Sequence, residues 1–546
     1  MIKIFKDHPY KWSETKIGKT IVASTGNFYF NGAFYTGSMA NMKLIDYFNL
    51  SENTNPQTLK QNLPQKILNL NGDFGILIIF NDLIIAAVDK KRSYPIYFTR
   101  TSRGVSFSNS ASWLKDSLSN LKINHEALLL LKMAGYTIGS ETIYENLFQL
   151  QAGEYCFYDT TNNDFQTIKY FKYLKKISDQ EIVDDQLDNL HEVTKTTFNK
   201  MIESLDGRPV FIPLSGGYDS RLILAMLLEF GYDNIYTFTY GVKNEWQREV
   251  AKFITEKCNL RWYSLIYKPK AMREYFHTSD RKKYFQFGSG YSSVPSINTY
   301  YSVLELKRKN LLPDNAIIIN GQSGDFTSGN HLPSILAENS TNIPRKTFIA
   351  SLISKHFSLW LDLKSKENLD FISNTIINIL GIESKINMSK SFFASNYEYF
   401  EWQERQVKQV INGQRGYDWL GIDWRLPLWS DELMDYWLNI PFEVKFNQQS
   451  YIKYLKKYNF QGIFDIELPK NYSYFPLWLQ PLRVFIHIAC RGENSRKQHY
   501  YRKYLKYFMS YAPFYPQQKY FDYLIDSEHH RNVVSFFVKE FIEEEL

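Results

Sequence analysis

The run Pro213-Leu214-Ser215-Gly216-Gly217-Tyr218-Asp219-Ser220-Arg221 brings two adjacent glycines, two hydroxyls and one carboxylate into nine residues. An apolar run, Val210-Phe211-Ile212, precedes it, and a second, Leu222 to Leu228, follows and is closed by Gly231. That order predicts a buried strand, a glycine turn and the first turn of a buried helix. Adjacent glycines let the backbone come close to a ligand, while Ser215, Ser220 and the amides at a helix start offer donors to an anion. The chemistry is that of a phosphate seat. A carboxylate at Asp219 would repel phosphate unless a hard cation such as Mg²⁺ lay between them, so the stretch reads as a nucleotide and metal site. The two glycines alone would also suit an ordinary strand-to-helix turn; the added Asp219-Ser220 favours the site. A Walker A loop is excluded, because GxxxxGK followed by Ser or Thr is absent here.

A second stretch repeats the design. The apolar run Ala316-Ile317-Ile318-Ile319 ends in Asn320-Gly321-Gln322-Ser323-Gly324-Asp325, a glycine-containing turn with one acid. Asp beside Gly is also a common turn former, so Asp325 gains its metal reading from its pairing with the first loop. The elements that must position both acids are strands. Ile235 to Gly241 and Trp262 to Tyr267 read as further buried strands, and Glu245 to Cys258 reads as a helix with Val250, Phe253 and Ile254 on one face. Alternating strand and helix predicts a doubly wound parallel sheet, with ligands at the carboxyl ends of its strands.

The first loop resembles the SGGxDS loop of N-type ATP pyrophosphatases, and Gly321 to Gly329 resembles the GEGxDE segment of asparagine synthetases and the related β-lactam synthetases. The resemblance implies that Asp219 and Asp325 hold Mg²⁺ on ATP, with Ser215, Gly216, Gly217, Asp219, Ser220, Gly321 and Gly324 in the cofactor-binding set. Gln322, Phe326 and Ser430 stand where the family has acids. An amide cannot act as a general base, so β-lactam synthetases, which let an amine on the substrate displace AMP, are the nearer precedent. The family's phosphate-neutralising loop lysine maps to Lys470, with a surface lysine as the alternative.

Residues 1 to about 170 are rich in short β-like runs, among them Thr20 to Ala23, Phe28 to Phe30 and a hairpin spanning Phe74 to Val88. Asn71-Gly72-Asp73-Phe74 and Asp89 to Tyr97 resemble segments of the class-II amidotransferase glutaminase half. The resemblance implies an N-terminal αββα sandwich of Ntn-hydrolase ancestry over 1–170. A linker and leading helix would span 171–205, and an ATP-pyrophosphatase domain with helical additions 206–546. Position 2 is Ile2 rather than the cysteine nucleophile of that family, so no glutamine hydrolysis is expected.

Over 546 residues, 44% hydrophobic and 22% charged content is ordinary for a folded protein, and a net charge of +7 does not demand nucleic acid. Arg491 to Lys519 mixes cations with tyrosines, a pattern of either a nucleic-acid surface or the solvated face of packed helices; the second is expected. Cys156, Cys258 and Cys490 have no metal spacing, which suits a reducing, cytoplasmic setting. The expected protein is an ATP- and Mg²⁺-dependent amide ligase acting on a small-molecule or peptide carboxylate. Neither nucleic acid nor membrane is expected as partner, and a homodimer is left open. The alternative is a silent ATP-binding scaffold.

Overall fold

The computed structural model describes all residues except 1, 7, 52, 103, 176–185, 242–245, 339–341, 467–476, 491–492, 512–518 and 527–529. In the front half, strict side-chain alternation sets the layers. A seven-stranded sheet, antiparallel throughout, is centred on Thr20–Phe30, Asn71–Phe80 and Leu83–Val88. Ile76, Ile78 and Ile85 point to one face and pack on helices Gly37–Phe48 and Pro56–Leu68. Leu77, Ile84 and Ala86 point to the other and meet Ile96, Phe98 and Phe107 of a four-stranded sheet. The far face of that second sheet is covered by helices Ala111–Ser117 and His125–Ala134, through Leu114, Leu128 and Leu131. The result is the four-layer αββα sandwich expected. One local expectation is corrected: Thr20 to Ala23 and Phe28 to Phe30 are parts of a single strand. Gly26, at φ +98°, carries the chain straight on, where a Cβ would stand 1.9 Å from the Asp73 carbonyl oxygen.

Beyond helix Gln186–Glu203 lies a five-stranded sheet in the order Arg261–Ile266, Ile235–Gly241, Val210–Pro213, Ile317–Ile319, Asp423–Arg425, parallel at every step. Val210, Ile212, Ile317 and Ile319 face helices Gln186–Glu203 and Tyr218–Glu229. Phe211, Phe238, Ile318 and Trp424 face the opposite layer, which includes helix Ile297–Arg308 and the Trp402 side chain. The order reverses at Val210–Pro213, whose neighbours are Ile235–Gly241 on one side and Ile317–Ile319 on the other. The two acid-bearing loops therefore leave adjacent strands at the same sheet edge, beside the switch point where such folds bind ligands.

Helix Trp246–Lys257 forms, yet its inner face is Arg248, Ala251, Ile254 and Thr255, and Phe253 is 53% exposed. The Arg248 guanidinium turns inward to Ser264 Oγ and the Gly241 carbonyl; of the expected face, Ile254 is buried and Val250 packs on the core, while Phe253 is turned out to solvent. The C-terminal helix Val533–Glu545 packs Phe536, Phe537 and Phe541 into the core shared with the front half. Its last two glutamates are committed: Glu544 takes both Arg281 Nη atoms at 2.6 and 2.7 Å, and Glu545 takes Lys115 Nζ at 2.8 Å.

Candidate active site

Asp219 lies in the first turn of helix Tyr218–Glu229, which follows the glycine turn. Gly217 caps this helix with no side-chain acceptor (φ −78°, ψ 164°), which leaves first-turn amides facing the loop. Ser215 and Ser220 bind each other at 3.1 Å, the Ser215 amide donates to Ser220 Oγ, and the Gly217 amide donates to Ser215 Oγ. Arg221, fully buried, fixes the turn from beneath by donating to the Gly216 carbonyl at 2.7 Å and the Ile463 carbonyl at 3.1 Å. The predicted seat is thus a pre-formed turn whose hydroxyls hold one another. Trp246, which sequence reasoning missed, lies over it: a Cβ on Gly216 would stand 2.4 Å from Cζ3 of that indole.

The second loop closes on the first. Gly321 and Gly324 are packing positions against Asp219: added Cβ atoms would stand 2.5 Å from Asp219 Cβ and 3.0 Å from its Oδ1, respectively. The start of the second loop thus packs directly on the Asp219 side chain, and Tyr451 Oη donates to Asp219 Oδ1 at 2.9 Å. Burial, and then the nearby Asp325 charge, push the Asp219 carboxyl up to about 7. Two acids 106 positions apart in sequence are therefore neighbours, and their charges repel with no cation between them.

Asp325 has other partners. Oδ1 accepts from the Phe326 amide at 2.8 Å, and Oδ2 lies 3.1 Å from His331 Nε2. His331 Nδ1 lies 2.8 Å from Glu401 Oε1, and Glu401, with no exposed side-chain surface, also meets Arg405 at 2.6 Å and Lys355 and His356 at 3.1 Å. Burial opposes the Glu401 charge, but His356, His331 and Arg405 hold its carboxyl well below the usual range. Burial likewise opposes charge on His331, and the flanking Asp325 and Glu401 carboxylates raise it above its ordinary value. Glu401 opens Glu401–Val410, a run of wide π turns of the sort that often marks functional sites. No sequence signal joined His331 and Glu401 to Asp325, because the three meet only through tertiary packing.

The departures noted in sequence have structural occupations. Gln322 donates to the Val410 carbonyl at 2.8 Å and accepts from Gln414, so both ends of its amide are taken. Phe326 is buried against Tyr173, with centroids 5.5 Å apart. Ser430 caps helix Asp431–Asn439 through the Leu433 amide. Lys470 lies outside the described residues. Cys156 is buried within a strand of the seven-stranded sheet, and burial pushes its thiol up, the opposite of a reactive cysteine.

Could Asp219 and Asp325 hold a divalent cation? The donor set, two carboxylates beside serine hydroxyls, is all oxygen and suits Mg²⁺; the residues fit.

The strand order, with both acid-bearing loops at one sheet edge, defines a doubly wound α/β protein joined to a two-sheet front half. Residues 203–474 match the asparagine synthase family. A Methanocaldococcus jannaschii protein bearing the name of a glutamine-hydrolysing asparagine synthetase is 21% identical over 400 residues, covering 68% of this chain and 74% of the relative. The chain is asparagine synthetase-like, and its likeness to the asparagine synthase family lies over residues 203–474. Among solved structures, the allosteric regulatory enzyme of purine biosynthesis aligns at 10% identity over 58% of each chain, with a TM-score of 0.19. The Bacillus subtilis glutamine phosphoribosylpyrophosphate amidotransferase with ADP and GMP aligns at 12% identity over 58% of this chain and 59% of its own, also at 0.19. The chain thus spans under two thirds of the length of those two solved structures. No described helix is long and apolar enough to cross a membrane.

Proposed function

We propose that this chain is an ATP-dependent amide ligase that adenylates a carboxylate and then joins it to an amine or ammonia, without hydrolysing glutamine. The carrying observation is the packing of the Gly321–Gly324 turn, next to Asp325, on the Asp219 side chain above adjacent parallel strands. The Ser215–Ser220 turn and the helix start would receive the pyrophosphate end of ATP, and Asp219 and Asp325 would hold Mg²⁺, which when bound offsets phosphate charge. A substrate carboxylate oxygen attacks the α-phosphorus and pyrophosphate departs; the amine nitrogen then attacks the acyl carbon and AMP departs. His331, backed by Glu401, positions Asp325 Oδ2. The amine's proton goes to a base other than Gln322. The burial of Cys156, which pushes its thiol up, supports an amine or free ammonia as the nitrogen source.

ATP–pyrophosphate exchange across a panel of amino-acid and peptide carboxylates tests this. Exchange with at least one of them, lost in Asp219→Ala and Asp325→Ala, is expected, as is no ammonia release from glutamine. A second reading, ATP binding without turnover, is motivated by Gln322, Phe326 and Ser430, which stand where the family has acids. Nucleotide binding with no exchange, unchanged by Asp325→Ala, would support it and sink the first.

A further inference from the structure

The helical hairpin after the asparagine synthase domain is built around a small core of Leu479, Ile486, Cys490 and Leu505. This inner stripe leaves a second apolar face on the same segment turned outward. Leu477 is 82% exposed, Trp478 65%, Val484 54%, Phe485 68% and Ile488 64%. Their spacings of seven and four residues place them on adjacent rows of turn Leu477–Leu479 and helix Gln480–Ala489. Five large apolar side chains, each more than half exposed on one short element, exceed the scattered singles of an ordinary surface.

Charge says what covers them. Residues 477–511 hold seven lysines and arginines against one acid, Glu493, and so carry six of the chain's net +7. Exposed Arg483 lies within the apolar helix, and Arg496 and Lys497 on the next helix, Asn494–Tyr500. A second copy of the chain would bring like charge to this face. Nucleic acid would use the cations and leave the aliphatic side chains in water. The side chains also protrude, a shape suited to entering a soft layer. We propose that this face docks on an anionic lipid surface: helix Gln480–Ala489 lies in the headgroup plane, its outer row enters the acyl boundary, and the neighbouring cations meet lipid phosphates. At ten residues, the helix lies on the bilayer and does not span it.

Co-sedimentation of the full chain with vesicles tests the idea, using phosphatidylcholine alone or with about one third phosphatidylglycerol. The expected result is binding at least about tenfold tighter to the anionic vesicles, weakened by salt. Trp478→Ser with Phe485→Ser, and separately Arg496→Glu with Lys497→Glu, should each abolish most of it. These surface positions should leave the circular dichroism spectrum unchanged, and the tryptophan emission of the wild type, unlike that of Trp478→Ser, should shift to the blue on binding. Three results would overturn the proposal: no binding to either vesicle, anionic binding indifferent to Trp478→Ser with Phe485→Ser, or a concentration-dependent dimer of the protein alone that this variant dissolves.

Discussion

Asp219 and Asp325 titrate in opposite directions: burial and then the Asp325 charge push the Asp219 carboxyl up to about 7, whereas at Asp325 burial is outweighed by His331, which holds the carboxyl below its ordinary value. Asp219→Asn removes a charge that the fold disfavours. It should cut carboxylate-dependent AMP release at least about a hundredfold while leaving the thermal midpoint unchanged or higher, because catalysis and stability pull in opposite directions at such a site. A calorimetric scan beside the activity assay reads both. Gly321→Ala should lose both, since its methyl would meet Asp219 Cβ at 2.5 Å; overpacking of this kind costs about 1–3 kcal/mol. Glu401→Gln leaves Lys355, His356 and Arg405 without their shared carboxylate and should lower stability in urea unfolding by about 3–5 kcal/mol. The two aspartates were legible because each sits in a short local motif after an apolar strand. His331, Glu401 and Trp246 were not, because nothing within a few residues of them distinguishes them from core or turn residues; only the folded chain brings them to the loops.

At the scale of elements, alternation and glycine turns read well: the hairpin Asn71–Phe80 with Leu83–Val88 and the strand, turn and helix around residues 210–229 formed where the apolar runs put them. The helix Trp246–Lys257 was placed and Ile254 was rightly set inside, but Phe253 was not and Arg248 was missed, because periodicity weighs only hydrophobicity. A titration follows from the N-terminal segment. His8 packs between Tyr10 and Phe287 near Arg415, and burial first, then that guanidinium, push it down to about 4. The unfolded chain therefore binds more protons than the folded one between about pH 6.5 and 4, so stability falls as pH drops through that window. Measured from pH 7.5 to 4.5, the melting temperature of His8→Phe should gain on that of the wild type as pH falls, because the variant lacks this loss; a difference that does not change with pH would show that His8 does not contribute.

Over the whole molecule, the front sandwich and the parallel sheet share buried polar links. Trp402 Nε1 donates to the Lys90 carbonyl at 2.9 Å, Arg415 to the Ser93 carbonyl at 2.6 Å, and Arg92 to the Val407 carbonyl at 3.1 Å. Lys408, buried, donates to the Thr137 and Gly139 carbonyls. Separating the halves would strand these cations, so a single calorimetric transition is expected; two resolved transitions would show that the halves fold independently. The run Asp89 to Tyr97, noticed in sequence for its resemblance to a glutaminase segment, supplies the front side of this seam. Its docking role was invisible because its partner, Glu401–Val410, is 300 residues away. The central claim is that two such distant acids share one cation, and diffraction from crystals grown with ATP and Mn²⁺ at the manganese edge tests it most directly. The account predicts a single anomalous peak over the Ser215–Ser220 turn, about 2.1 Å from carboxylate oxygens of both Asp219 and Asp325. ATP bound there with the metal touching neither aspartate, or metal bound elsewhere with the turn empty, would contradict it.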